Sequence, residues 1–249
     1  MFFNKQILQK ITERAEKHGL SFATHKLLMD LGVPSIAKEG HVPKDTPLLI
    51  ISNHTGVFDS LILFSQVDRN YLHFVAISTY EIFGQKIKER LLPIYRVRRL
   101  NHKVFEYPLC LQINGRAPEN LTKREIQVRN RTTISKAAEL INKGSSVSIF
   151  PTGSAGKRLG NSSWKAGVGF LVKQITNPQA QVVFAQIKGT RQSDLVAYLH
   201  PFLSKLLFWP QPISITFSKR HVLSEIVDLN RDAKSITLEL ENIHDAQWK

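Results

Sequence analysis

Residues 48–64 read LLIISNHTGVFDSLILF, and this stretch decides the fold that we predict. It opens with a short apolar run, passes through a polar turn and closes with a second apolar run. The first run has the length of a buried strand, whereas the second, residues 57–64, has the composition of a helix packed against a sheet. A strand that leads through a turn into a helix is a building unit of α/β proteins.

Short apolar runs alternate with helical patterns around this unit, at 71–77, 82–91, 94–97, 134–141 and 146–150. Further along, we predict a helix at 164–175, a strand at 182–188, a helix at 195–208, a strand at 213–217 and a C-terminal helix. Residues 4–31 are expected to form two helices separated at Gly19. The sequence therefore predicts a short N-terminal helical extension, residues 1–45. A single α/β domain follows, residues 46–249, in which helices flank a mixed central sheet.

The chain is strongly basic, with 34 Lys and Arg residues against 20 Asp and Glu residues and a net charge of +14. A field of this sign attracts nucleic acid, an anionic bilayer or a phosphate-rich carrier such as coenzyme A, and charge alone cannot rank them. Cys110 is the single cysteine, which excludes a disulfide framework and fits a reducing compartment. Because no apolar stretch approaches the roughly 20 residues of a spanning helix, we expect any membrane contact to be from one side.

His54 lies in the predicted turn, and Asp59 lies in the first turn of the predicted helix. Helical side chains lean toward the N-terminus, so the carboxylate should reach back to the imidazole. Such a carboxylate fixes the tautomer of His54 and suits it for deprotonating an alcohol that attacks an acyl carbon. The alternative is a turn histidine bound to a capping aspartate without a catalytic role. His25 and Asp30 share the spacing but lie within one continuous helix, where they should not touch.

A glycine-rich basic loop follows the predicted strand that ends at Phe150. It reads FPTGSAGKRLGNSSWKAG, residues 150–167, and combines glycines with hydroxyl and cationic side chains, a composition suited to holding phosphate. It is not a nucleotide P-loop, because Pro151 stands where the first glycine is required. The alternative is a flexible surface loop that is basic only because the whole chain is basic.

A second basic cluster, Arg96, Arg98 and Arg99, lies in LLPIYRVRRL, residues 91–100. Arginines at a strand end make good bidentate phosphate partners. A solvated edge strand explains the same pattern equally well.

Four motifs occur in order along the chain: N-H-x-x-x-x-D, P-I-Y-R, F-P-x-G-S and W-K-x-G. Together, over residues 46–190, they resemble the glycerolipid acyltransferases, the family that includes 1-acylglycerol-3-phosphate and glycerol-3-phosphate acyltransferases. The resemblance implies that His54 is the general base and that Asp59 is its orienting partner. It implies that Arg96 contacts the acceptor phosphate and that Thr152, Gly153, Ser154 and Lys165 help to hold the acceptor. By their charge and position, Arg98 on the strand face of Arg96 and the loop residues Lys157 and Arg158 are further substrate-binding candidates.

The third motif departs from the common F-P-E-G-T-R pattern of that family. Thr152 replaces the glutamate and Ala155 replaces the arginine, so Lys157 and Arg158 are the candidates to supply the missing positive charge. This loop is similar to the P-S-G-G-R motif of soluble, plastid-type glycerol-3-phosphate acyltransferases. The departure leaves the acceptor open between 1-acyl-sn-glycerol-3-phosphate, which we favour, and glycerol-3-phosphate.

The resemblance also implies the partners of the protein. The donor is an acyl thioester, acyl-CoA or acyl carrier protein, and neither a metal nor a bound organic cofactor is needed. The expected product is phosphatidic acid, formed at the cytoplasmic face of a membrane to which the protein binds peripherally. Interfacial candidates are the N-terminal FFNKQILQKI and AYLHPFLSKLLFWP, residues 197–210, although both also fit core helices.

Two other classes of protein compete with this interpretation. A basic, non-enzymatic nucleic-acid-binding protein accounts for the charge but leaves the ordered motifs unexplained, so no nucleic-acid partner is expected. A membrane-surface protein whose acyltransferase site has decayed accounts for the altered third motif.

Overall fold

The structure is a computed structural model. It describes residues 5–30, 32–33, 35–56, 58–69, 71–77, 85–95, 121–153, 164–191 and 212–248.

The described residues form helices and strands that alternate along most of the chain. The helices are α1 Lys5–His18, α2 Leu20–Asp30, α3 Asp59–Gln66, α4 Gln85–Arg90, α5 Lys123–Asn142, α6 Gly167–Lys173, α7 Leu223–Ile226 and α8 Ala233–Gln247. The strands are β1 Ile36–Glu39, β2 Leu48–Ser52, β3 Leu72–Ile77, β4 Leu91–Ile94, β5 Ser146–Ile149, β6 Gln181–Lys188, β7 Ile213–Phe217 and β8 His221–Val222.

The strands form one mixed sheet in the order β1-β7-β6-β2-β5-β3-β4, with β8 also paired to β6. From β6 to β4 all neighbouring strands are parallel, while β7 and β8 run antiparallel to β6. The predicted α/β fold with a mixed sheet is therefore confirmed. Every residue of β2 is buried, as its unbroken apolar run predicts for a parallel strand covered on both faces.

Two hydrophobic cores lie on opposite faces of the sheet, and β2 contributes to both. Leu48 and Ile50 belong to the core under α1 to α4, whereas Leu49 and Ile51 belong to the core under α5 to α8. This division follows from the alternation of side chains along a strand. It places helices on both faces and leaves the strand ends open for a site.

Several elements differ in position from the sequence prediction. β1, which pairs with β7, lies inside the segment expected to be a helical extension. The apolar run at 94–97 overlaps β4 only at Ile94, because Leu91 and Leu92 are the buried residues that pair with β3. α6 begins at Gly167 rather than Trp164. The predicted helix at 195–208 lies outside the described residues.

In the described ranges, no helix combines the length and apolar character needed to cross a membrane.

Candidate active site

The candidate active site lies at one edge of the sheet, where the parallel strands β5, β2 and β6 end side by side. The segments that leave these strands are 150–153, 53–56 and 189–191. Ligands of open α/β sheets bind at the carboxyl ends of the strands. The topology therefore brings the N-H-x-x-x-x-D motif next to residues 150–153, the described part of the F-P-x-G-S motif.

Asp59 is the first residue of α3 and is fully buried. Its Oδ2 accepts hydrogen bonds from the backbone N–H groups of Thr55 at 2.6 Å and Gly56 at 2.9 Å. The positive end of the α3 dipole also favours the ionised carboxylate at this position. The turn thus satisfies a buried charge with backbone donors and fixes the direction of the carboxylate.

His54 contacts the same carboxylate oxygen, with its Nδ1 at 3.0 Å from Asp59 Oδ2. The carboxylate oxygen can only accept, so Nδ1 is the donor, and in the neutral ring Nε2 is then the nitrogen that can take a proton. The ring packs against Phe150, with a centroid distance of 4.7 Å, and 16% of the side chain stays exposed. The predicted contact between His54 and Asp59 is therefore present, with the tautomer that a general base requires.

Thr190 is a residue of this cluster that the sequence analysis missed. Its Oγ1 donates to Asp59 Oδ1 at 2.6 Å and lies 2.8 Å from Thr55 Oγ1. Because the single hydroxyl proton of Thr190 goes to Asp59, Thr55 is the donor in the second bond. Both oxygens of Asp59 are thus hydrogen-bonded. The only sequence signal was the position of Thr190 just after the strand predicted at 182–188.

Asn53 fixes the turn to β6. Its side chain donates to the carbonyl of Ile187 at 2.8 Å and accepts from the Ile187 N–H at 2.7 Å. A Cβ at Gly56 would lie 2.6 Å from Thr190 Cβ, so only glycine allows the turn to approach the segment after β6 so closely. These contacts explain why the asparagine and glycine of NHTG stand beside the histidine.

The described part of the third motif also lies at this edge. Thr152 is buried, and Gly153 has a φ of +66°, which favours glycine. The Lys165 N–H donates to the Pro151 carbonyl at 3.1 Å, and a Cβ at Gly153 would lie 2.9 Å from Lys165 Nζ. The Lys165 side chain therefore lies directly against Gly153. Ser154, Lys157 and Arg158 lie outside the described residues.

The second motif is anchored by α5 up to its arginine. Asn130 accepts from the Tyr95 N–H at 2.8 Å and donates to the Tyr95 carbonyl at 2.9 Å. Thr133 donates to the Pro93 carbonyl at 2.7 Å. Neither anchor is apparent from the sequence, because both come from a helix that is distant in the chain. Arg96, Arg98 and Arg99 lie outside the described residues.

His25 and Asp30, which have the same spacing as His54 and Asp59, are arranged differently. His25 is exposed on α2, and the Asp30 carboxylate pairs with Arg14 of α1 at 2.6 Å. Spacing alone therefore does not produce the His–Asp contact; the turn before α3 does.

Within the described ranges, no group of three or more potential metal ligands occurs, and the expectation on cofactors stays a prediction.

A family model described as Acyltransferase matches residues 35–187. Since the match covers more than half of the chain, the protein belongs to the acyltransferase family. The crystal structure of the 1-acyl-sn-glycerophosphate (LPA) acyltransferase PlsC from Thermotoga maritima is similar, with a TM-score of 0.52 and 14% sequence identity. The similarity covers 98% of this chain and 80% of that chain, and at this identity it concerns the fold. No curated protein matches the chain.

Proposed function

We propose that the protein transfers a fatty-acyl group from acyl-CoA or acyl carrier protein to the hydroxyl of 1-acyl-sn-glycerol-3-phosphate, giving phosphatidic acid. The observation that carries the proposal is the His54–Asp59 pair, with its fixed tautomer, beside the Thr152–Gly153 turn. Membership of the acyltransferase family supports the reaction class.

In the proposed reaction, His54 Nε2 takes the proton of the acceptor hydroxyl as its oxygen attacks the thioester carbonyl carbon. The C–O bond forms, and Asp59 stabilises the imidazolium. Collapse of the tetrahedral intermediate breaks the C–S bond, and the imidazolium returns its proton to the leaving thiolate, which gives the free thiol. A well-placed base of this kind contributes about 10² to 10⁴-fold to the rate.

The acceptor phosphate needs positive charge as it leaves water. Lys165, which lies against Gly153, is the described residue that we assign to it. Arg96 is assigned by the family resemblance, and Arg98, Lys157 and Arg158 are assigned by their positive charge in the same two segments. Part of the excess of Lys and Arg over Asp and Glu is thus explained by binding of a phosphate-bearing substrate, without a nucleic-acid partner.

A second acceptor, glycerol-3-phosphate, is favoured by one observation. Thr152, which is buried, replaces the glutamate of the common motif, and this replacement is similar to the motif of the plastid-type glycerol-3-phosphate acyltransferases. With the smaller acceptor, the hydroxyl that is acylated would be the one at the end of the glycerol opposite the phosphate, instead of the middle one.

The test compares acceptors at one donor concentration. Purified protein is supplied with an acyl thioester and with 1-acylglycerol-3-phosphate, glycerol-3-phosphate or monoacylglycerol, while released thiol and lipid product are both quantified. We expect phosphatidic acid and little acylation of monoacylglycerol. Turnover of monoacylglycerol comparable to that of the phosphorylated acceptors would contradict the proposed phosphate site.

We also propose that the protein works bound peripherally to the cytoplasmic face of an anionic membrane. The support is its charge of +14 and the poor solubility of its acyl product. Sedimentation with anionic vesicles that is lost at high salt is the expected result. Equal binding to neutral and anionic vesicles at every ionic strength would contradict the electrostatic part.

A further inference from the structure

The residues Trp164 and Lys165, which we call the Trp164–Lys165 corner, join the glycine-rich loop to α6. The corner is fixed on the site side, because the Lys165 N–H binds the Pro151 carbonyl at 3.1 Å and the Lys165 side chain lies against Gly153. Trp164 is buried and Lys165 is exposed. The orientation of Lys165 therefore depends on what holds Trp164.

The C-terminal helix α8 holds Trp164. The backbone N–H of Trp164 donates to Glu241 Oε1 at 3.1 Å. The Trp164 ring packs edge-on against His244 at a centroid distance of 5.3 Å. Contacts therefore run without interruption from α8 through the corner to the segment after β5.

The next helix, α6, also rests on α8. The Gly169 N–H donates to Thr237 Oγ1 at 3.1 Å, and a Cβ at Gly169 would overlap the Ala233 carbonyl. At Gly169, α6 therefore has no room to move closer to α8. The geometry therefore favours one position of the corner.

Glu241 is partly buried at this contact. Burial raises the pKa of the Glu241 carboxyl above its usual value, and the Trp164 N–H opposes that shift. Glu239, two residues earlier on α8, instead forms an ion pair with Arg231 at 3.2 Å. It provides a matched control of the same residue type on the same helix.

We propose that Glu241 is a positioning residue, which holds the Trp164 amide so that Lys165 meets the acceptor phosphate. The inference rests on the proposed function. Glu241 does not touch the reacting atoms in this account. Its loss should therefore weaken acceptor binding and leave the chemical step and the donor largely unaffected.

The experiment combines steady-state kinetics with hydrogen–deuterium exchange of the peptide that contains Trp164, in wild type, Glu241→Ala, Glu241→Gln and Glu239→Ala. We expect Glu241→Ala to raise the acceptor KM about 5- to 30-fold, the loss that one or two kcal/mol of hydrogen bonding produces. The donor KM should stay within about twofold. Exchange at the corner should be faster in this variant. Glu241→Gln keeps an Oε1 acceptor and should restore both values, and Glu239→Ala should match wild type.

A further variant, Glu241→Asp, keeps the charge but has a side chain too short to reach the Trp164 backbone N–H, so it should also raise the acceptor KM. This variant replaces Glu241→Ala in the test if the alanine variant does not fold. Equal KM values and equal exchange in wild type and the folded Glu241 variants would overturn the inference, as would an equal rise in the donor KM. Wild type that acylates no acceptor would overturn the proposed function, and the exchange measurement would then decide the Glu241 contact by itself.

Discussion

Replacing Thr190 by valine removes one hydroxyl from the cluster around Asp59 and keeps the shape of the side chain. The lost bonds are the 2.6 Å contact with Asp59 Oδ1 and the 2.8 Å contact with Thr55. Asp59 is fully buried, so its Oδ1 has no access to water as a substitute partner. A hydrogen bond to a charged group contributes about 1.5–3 kcal/mol. We expect the free energy of unfolding to fall by about that amount.

The same change should slow the proposed reaction less than it destabilises the fold. Asp59 Oδ2 keeps its three donors, His54 and two backbone N–H groups, so the carboxylate stays near its position. If half of the lost energy appears in the orientation of His54, kcat falls roughly 3- to 15-fold and KM is unchanged.

Chemical denaturation and steady-state kinetics on Thr190→Val and Thr190→Ser check this prediction. Thr190→Ser retains the hydroxyl and should stay close to wild type in both measurements. A valine variant with the stability and kcat of wild type would refute the role assigned to the Thr190 bond.

Two further predictions concern glycine packing and pH. Gly56→Ala should lower the free energy of unfolding by about 1–3 kcal/mol, since the new Cβ would lie 2.6 Å from Thr190 Cβ. Gly167→Ala should be near neutral in chemical denaturation, because its Cβ would make only an ordinary contact with Ile134 Cδ1 at 4.0 Å. Burial lowers the pKa of His244 from 6.5, although Asp245 opposes the shift. The unfolded chain therefore binds the proton of this imidazole more tightly than the folded chain does. The neutral imidazole of His244 contributes fully to the free energy of unfolding above about pH 6.5, and this contribution is lost as the pH falls through the folded-state pKa. Replacing His244 by leucine should reduce the difference in unfolding free energy between about pH 7.5 and pH 5.5; an unchanged difference would contradict the assignment.

The contact between His54 and Asp59 could be predicted because it is local. The strand, the turn and the first helical turn all lie within one short stretch, and the lean of helical side chains fixes the direction of the carboxylate. By contrast, Thr190 and Glu241 are distant in the chain. Their roles depend on which strands are neighbours and which helix packs on α6, and hydrophobic periodicity does not determine either.

β1 illustrates a different limit of sequence analysis. Its sequence is IAKE, and three of its four residues are exposed. It is held by backbone pairing to β7, which leaves no apolar alternation to detect. β4 begins three residues before the predicted run, and Pro93 lies within it, which an edge strand tolerates.

The most direct test of the account is acyl transfer by His54→Ala, measured as phosphatidic acid formed and thiol released, beside wild type and His25→Ala. His25 is exposed on α2, far along the chain from the turn, and serves as the matched histidine control. The account predicts a loss of at least about 10²-fold for His54→Ala at unchanged folding stability, with His25→Ala as active as wild type. Near-wild-type transfer by His54→Ala, or an equal loss in both variants, would contradict it.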